Sequence, residues 1–360
     1  MILRFGVGLL LAWLSIAAAY GKDLGKITVR FDFTAAEAML DALAKPELSD
    51  ADVERLLKVR GVRAMVDNTI KYFPANTRDR FRTDMQNFVR TRKYPEGDFA
   101  LDWINHYRAQ IIELISTLRK GEETIVPQVV SDLARYQPDT GNLDIVVYFV
   151  AGGVSDGFVL DRDPEPAFFV ALEKASGDAA GVQQNMTHEL YHVAQKAAGR
   201  RVPELQRMVE DPASLPAAER LLLTTLWEGT ANFAADASKA TAKGPYIDMW
   251  RDRYLRNAAP ARIAENFALF DRVLADLLAN KIAWNEVEKI GLSGDNGAFY
   301  FVGYEMAKAL ERYHGTLRIG RLFQERPAVF FKDYIALTRA HPELKARFAP
   351  ATEAYIASLP

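Results

Sequence analysis

Hydrophobic residues follow two different periods along this chain. From about residue 34 to 135 they recur every three to four positions, the spacing that collects side chains on one face of an α-helix. "TAAEAMLDALAK" sets Ala36, Leu40, Leu43 and Ala44 near one face. "SDADVERLLKV" opens with Ser49 as an N-cap and acids in its first turn. "FRTDMQNFVRTRKY" and "DFALDWINHYRAQIIELISTLRKG" continue the pattern, and Gly121 is the expected C-cap of the last helix. Apolar stripes of this kind are ordinarily core, so this part reads as a helical subdomain without chemistry of its own.

Elsewhere the pattern is that of strands. "KITVRFDF" (Lys26 to Phe33) precedes the helices. "LDIVVYFVAGG" (Leu143 to Gly153) is a β-branched and aromatic run ended by glycines, which predicts a buried strand. "SDGFVL" and "PAFFVALEK" (Pro166 to Lys174) are two further strand candidates. Helical spacing then returns over 179–199, 216–239, 246–257, 261–280 and 297–314, with two more helices near the C-terminus. The expected class is α+β and predominantly α-helical, with a small sheet leading into helix 179–199. The cut falls at "PDTGN" (138–142), dividing a mostly helical part, 20–140, from a second part, 141–360.

The N-terminus departs from both patterns. Arg4 precedes an uncharged, mostly apolar run, and Ala17 and Ala19 form an A-x-A cleavage pattern, so residues 1–19 read as a secretory signal peptide. The expected product is exported, periplasmic or secreted from a bacterium, with no stable membrane insertion after cleavage. Composition adds exclusions. The chain has no cysteine, which removes disulfides, thiolate ligands, a cysteine nucleophile and a lipoprotein anchor. A formal net charge of -2 and the lack of a long basic block give no electrostatic reason to bind nucleic acid.

The candidate chemistry lies in "QNMTHELYHVAQKAAG" (184–199). Residues four apart stack on one helix face, so His188 and His192 can present two imidazoles to one ion. Glu189, about 100° further round the helix, can reach a water on that ion without being a ligand. The alternative is a solvated helix face with two histidines. A catalytic zinc ordinarily takes a third protein ligand. Gln195 and Ala198 stand where a metzincin has glycine and histidine, so that class is out. The strongest third ligand is Glu228 in "LLLTTLWEGTANFAADASKA", an acid in an apolar helical segment, where an unpaired charge is costly. Gly229 and Ala231 are small enough to let this helix approach the metal helix, and Asn232 and Asp236 can accept the distal N–H of a liganding histidine.

"HELYH" (188–192) followed by "WEGTAN" (227–232) resembles the gluzincins, the thermolysin-like clan of zinc metallopeptidases. It is similar to bacterial zinc-dependent peptidases with a downstream E-G-x-A helix and a later G-Y segment, here "GAFYFVGYEMAKALERYHG". The resemblance covers about 145–315 and implies a zincin-like catalytic domain acting on a peptide or protein substrate. It makes His188, His192 and Glu228 the ligands of Zn2+, with Glu189 as general base. It points to Tyr304, ahead of Tyr300 and His314, as the group that stabilises the oxyanion. It also suggests that "AFFVALE" is an edge strand on which extended peptide is bound. The spacing from His192 to Glu228 is longer than in thermolysin, and Asn232 stands where such enzymes often have aspartate. A non-catalytic zinc-binding or interaction protein with the same fold is the rival expectation. Intact Glu189 argues against it.

Overall fold

The computed structural model describes residues 26–93, 97–160, 163, 165–293 and 297–360. The expected signal peptide lies outside the described residues. Strand β1 (Ile27–Asp32) is followed by helices α1 (Thr34–Ala44), α2 (Asp50–Lys58), α3 (Arg60–Tyr72), α4 (Arg78–Thr91), α5 (Leu101–His106) and α6 (Arg108–Ala134). Then come β2 (Leu143–Val150), β3 (Gly157–Phe158) and β4 (Ala167–Ala171). The rest is helical: α7 (Ala179–Arg200), α8 (Pro203–Glu210), α9 (Ala217–Ala234), α10 (Pro245–Asn257), α11 (Pro260–Leu278), α12 (Trp284–Val287), α13 (Ala298–His314), α14 (Thr316–Arg321), α15 (Pro327–Ala340) and α16 (Pro350–Ser358). This is the expected predominantly helical α+β class.

The sheet order is β1-β2-β4-β3, parallel except for β3, which runs antiparallel to β4. β2 and β4 are interior strands whose successive residues are almost all buried, so both faces of the sheet are covered there. That explains their unbroken apolar runs, because a strand covered on two sides loses the in-out alternation. The expectation that "AFFVALE" forms an edge strand is therefore corrected. β4 is paired on both sides, and the edges are β1 and, next to β4, the short β3 within "SDGFVL". The 138–142 segment joins α6 to β2, and β2 pairs directly with β1 from before the helices.

One helix boundary also differs from the expectation. α6 runs through Gly121 and even through Pro127. Its buried residues Leu114, Leu118, Val129 and Leu133 keep apolar contact on both sides of those two positions. Tertiary burial outweighs the roughly 1 kcal/mol propensity cost of a helical glycine and the backbone bond lost at proline. Among the described residues no helix is long and apolar enough to cross a membrane.

α7 is the central element. Asp178 caps it, accepting from the Gly181 N–H at 3.0 Å. The same carboxylate accepts the Tyr246 and Ile247 N–H groups at 3.1 and 2.9 Å, so one acid caps α7 and α10 together. Within the motif, Leu190 and Tyr191 are fully buried. The Tyr191 hydroxyl donates to the Tyr136 carbonyl at 3.1 Å. Burying each such side chain stabilises by roughly 2 kcal/mol, so the helix is fixed by the positions that carry no chemistry.

Candidate metal centre

On another face of that anchored helix, the His188 and His192 rings lie 4.7 Å apart at an interplanar angle of 82°. Their Nε2 atoms are 3.0 Å apart, and each is 3.3 Å from Oε2 of Glu228 on α9. Three lone-pair atoms with edges of 3.0 and 3.3 Å match the ligand triangle around an ion held at roughly 2 Å. His188, His192 and Glu228 thus form a cluster that can hold a metal, and two imidazoles with a carboxylate suit zinc.

The tautomer of His192 agrees. Gln195, one turn along α7, donates its amide N–H groups to the Trp227 carbonyl and to Thr230 Oγ1, both at 2.9 Å. That orientation turns Oε1 to His192 Nδ1 at 2.8 Å. Nδ1 therefore carries a proton, and Nε2, the atom available as ligand, faces Glu228. Gln195 also ties α7 to α9, the helix that supplies the third group.

The charges of the triangle are strongly coupled. Burial pushes the His192 imidazolium down, but the carboxylates of Glu228 and Glu189 and the hydrogen bond to Gln195 outweigh it and carry the pKa to about 9. Burial opposes the Glu228 charge, yet the two imidazoles hold its carboxyl well below the ordinary range. Burial, with His192 and Arg253 as neighbours, keeps His188 below its ordinary value.

Glu189 is buried beside this triangle, and burial pushes its carboxyl up to about 7. It lies under the edge strand β3. A Cβ at Gly157 would fall 2.8 Å from both Cγ and Oε1 of Glu189, so only glycine leaves that space. Asn185 holds the strand down, donating to the Asp156 carbonyl at 3.1 Å.

The third segment divides the expected oxyanion donors. Tyr300, on the first turn of α13, lies with its ring 6.4 Å from that of His188, at 26°. The Tyr304 hydroxyl donates instead to Asp236 at 3.0 Å, and its ring packs against Phe233 and Tyr254. His314 is exposed at the far end of α13, about 21 Å along the axis from Tyr300.

The expected helper groups also sort differently. Asp236 lies beyond the end of α9, bonded to Ser238, Lys239 and Tyr304. Both amide atoms of Asn232 are buried without a hydrogen-bond partner. Gln195 fills the accepting role for His192, and the i,i+3 spacing to that histidine was the signal available for it. Gly229 serves α13, not the metal helix. A Cβ there would meet the backbone of Gly303 and the Tyr304 nitrogen, the latter at 2.7 Å.

A family model described as "Putative zinc dependent peptidase (DUF5700)" matches residues 53–343. That span holds α7, α9 and α13 entire. No curated protein and no solved structure matches the chain.

Proposed function

The chain belongs to this zinc-dependent peptidase family, and from that premise we propose that it is an exported metallopeptidase of the gluzincin type. The observation that carries the reading is the triangle of His188, His192 and Glu228 with the Glu189 carboxyl buried beside it. His188, His192 and Glu228 would hold the ion. Zinc, when bound, supplies a Lewis acid that polarises the scissile carbonyl and brings the pKa of a water toward neutrality.

The chain's own groups do the rest. Glu189 accepts a proton as the water oxygen bonds to the carbonyl carbon, then delivers it to the amine nitrogen as the C–N bond breaks. The carbonyl oxygen gains charge in that step and needs a donor. We assign this to the Tyr300 hydroxyl, because the Tyr304 hydroxyl is committed to Asp236. Burial, with Glu228 nearby, raises the Tyr300 pKa well above its ordinary value, so the hydroxyl keeps its proton to donate.

The test pairs metal content with cleavage. Wild type is expected to bind one zinc and cut a generic peptide library. Glu189→Gln should keep the zinc and lose about 10²- to 10⁴-fold in rate. Equal cleavage by both proteins refutes the base, and a zinc-free wild type refutes the centre. Export is supported by the N-terminal pattern, and the N-terminus of the exported protein is expected at Tyr20.

A further inference from the structure

Most of the partly buried arginines of this fold are paired with a carboxylate, and Arg108 instead donates to the Leu40 carbonyl. Arg60 meets Asp163, Arg82 meets Glu54 and Asp79, Arg251 meets Asp248, and Arg318 meets Glu325 and Asp333. Arg253 on α10 is not among these pairs. It is partly buried, yet among the described residues no carboxylate lies within ion-pair distance. Its guanidinium carbon sits 5.1, 5.4 and 5.8 Å from the ring centres of Trp250, Tyr300 and Phe301. Its Nε–H is buried with no acceptor. Aromatic faces attract the cation, but they leave the N–H groups in the guanidinium plane without acceptors.

The position matters as much as the missing partner. The Tyr300 ring touched by Arg253 is the one that lies 6.4 Å from His188. The guanidinium is therefore within about three extended residues of the metal triangle, at about 3.5 Å per residue. Its charge is felt at Asp156, His188 and Tyr300, all around the same site. α10 is capped by Asp178 together with α7, and a Cβ at Gly297 would collide with Arg253 Nη2. Among the described residues no acidic side chain occupies the first turn of α13, which that glycine caps.

An unpaired guanidinium fork beside a peptidase centre is a receptor for a planar anion. We propose that Arg253 anchors a carboxylate of the peptide bound at the metal centre, and so makes the enzyme selective for substrates with a carboxylate a few residues from the scissile bond. The inference rests on the peptidase reading above. The carboxylate has two sources, a free C-terminus or an Asp or Glu side chain, and the fork binds either.

The test uses zinc-loaded mature protein and four matched peptides. One pair carries a free or an amidated C-terminus. The other carries Glu or Gln two residues beyond the cleaved bond, both amidated. Wild type should prefer one or both acids over their neutral partners by about ten- to hundredfold in KM. Preference in the first pair identifies a C-terminal trimming enzyme. Preference in the second identifies an acid-selective endopeptidase. Arg253→Met, which keeps length and apolar packing, should collapse the acid-to-neutral ratio to about one, and Arg253→Lys should retain part of it. A purely structural role would weaken acid and neutral peptides alike and leave the ratio standing. Equal KM values in wild type, or a ratio unchanged in Arg253→Met, overturn the proposal. Binding of the same peptides to zinc-loaded Glu189→Gln, read by calorimetry, separates the two hypotheses. If nothing is cleaved but acids bind better than amides through Arg253, the peptidase reading fails and the anchor stands. If binding has no carboxylate dependence, the anchor fails whatever is cleaved.

Discussion

Gly303→Ala should weaken this protein's hold on its metal. Helices α9 and α13 cross backbone to backbone at Gly229 and Gly303. A Cβ at Gly303 would stand 2.8 Å from the Gly229 Cα and nearer still to the Thr225 carbonyl oxygen. Ordinary contact begins at 3.4 Å, so the gap at Gly229 must open from 2.8 to 3.4 Å, by 0.6 Å or more. Neither neighbour is a flexible side-chain end that can swing away. Alanine in a helix gains about 1 kcal/mol over glycine in propensity, but overpacking costs about 1–3 kcal/mol. The net is expected at about 0–2 kcal/mol of destabilisation, or up to a few degrees in Tm. The consequence for the site is larger. Glu228 is the residue before Gly229, and a metal ligand tolerates only about 0.2 Å of displacement. We expect zinc affinity, read by competition with a chromogenic chelator, to fall at least about tenfold. Gly121→Ala is the control, since a Cβ there meets only the tip of Ile125 at 2.9 Å. A Gly303→Ala protein with wild-type zinc affinity and an unchanged or raised Tm would refute the reasoning.

Three further outcomes follow from particular contacts. Gln195→Leu removes the acceptor of His192 Nδ1 and should weaken zinc binding about 10- to 100-fold; unchanged affinity means the glutamine does not orient the ligand. Gly157→Ala drives a methyl into the Glu189 carboxyl and should lower kcat while leaving zinc content intact, which separates the base from the ligands in one measurement. Glu173 is fully buried with one oxygen unpaired, and burial pushes its carboxyl up to about 7 from an ordinary 4.5. The folded protein keeps a proton there that the unfolded chain releases, so this residue costs stability increasingly as pH rises from 4.5 to about 7, and a constant amount above. Glu173→Gln should therefore raise stability at pH 8, by at most about 3 kcal/mol, and change little at pH 4.5. Equal differences in chemical unfolding at both pH values would contradict the buried neutral acid.

The metal helix was legible because everything it needs is local. His188 and His192 share a face through a four-residue spacing, and that geometry belongs to any helix, wherever it packs. Glu228 was legible for a different reason: an acid in an apolar segment demands a partner. The helical class and the strand segments followed from periodicity alone. The remaining features depend on how one element is set against another. Tyr300 and Tyr304 are one turn apart and equivalent in sequence. They share one face of α13, and their different heights along its axis bring one to His188 and the other to Asp236. Gly229 looked like room for the metal helix until its partner proved to be Gly303. β4 reads like any apolar strand, and only pairing on both sides reveals that the edge beside it belongs to β3. Gln195 supports His192 because Trp227 and Thr230, more than thirty residues later, orient its amide. Periodicity determines what lies together on one helix. Strand order, the placement of a helix along its neighbours and the crossing of two glycines are decided by side-chain packing between distant segments, which no local spacing encodes.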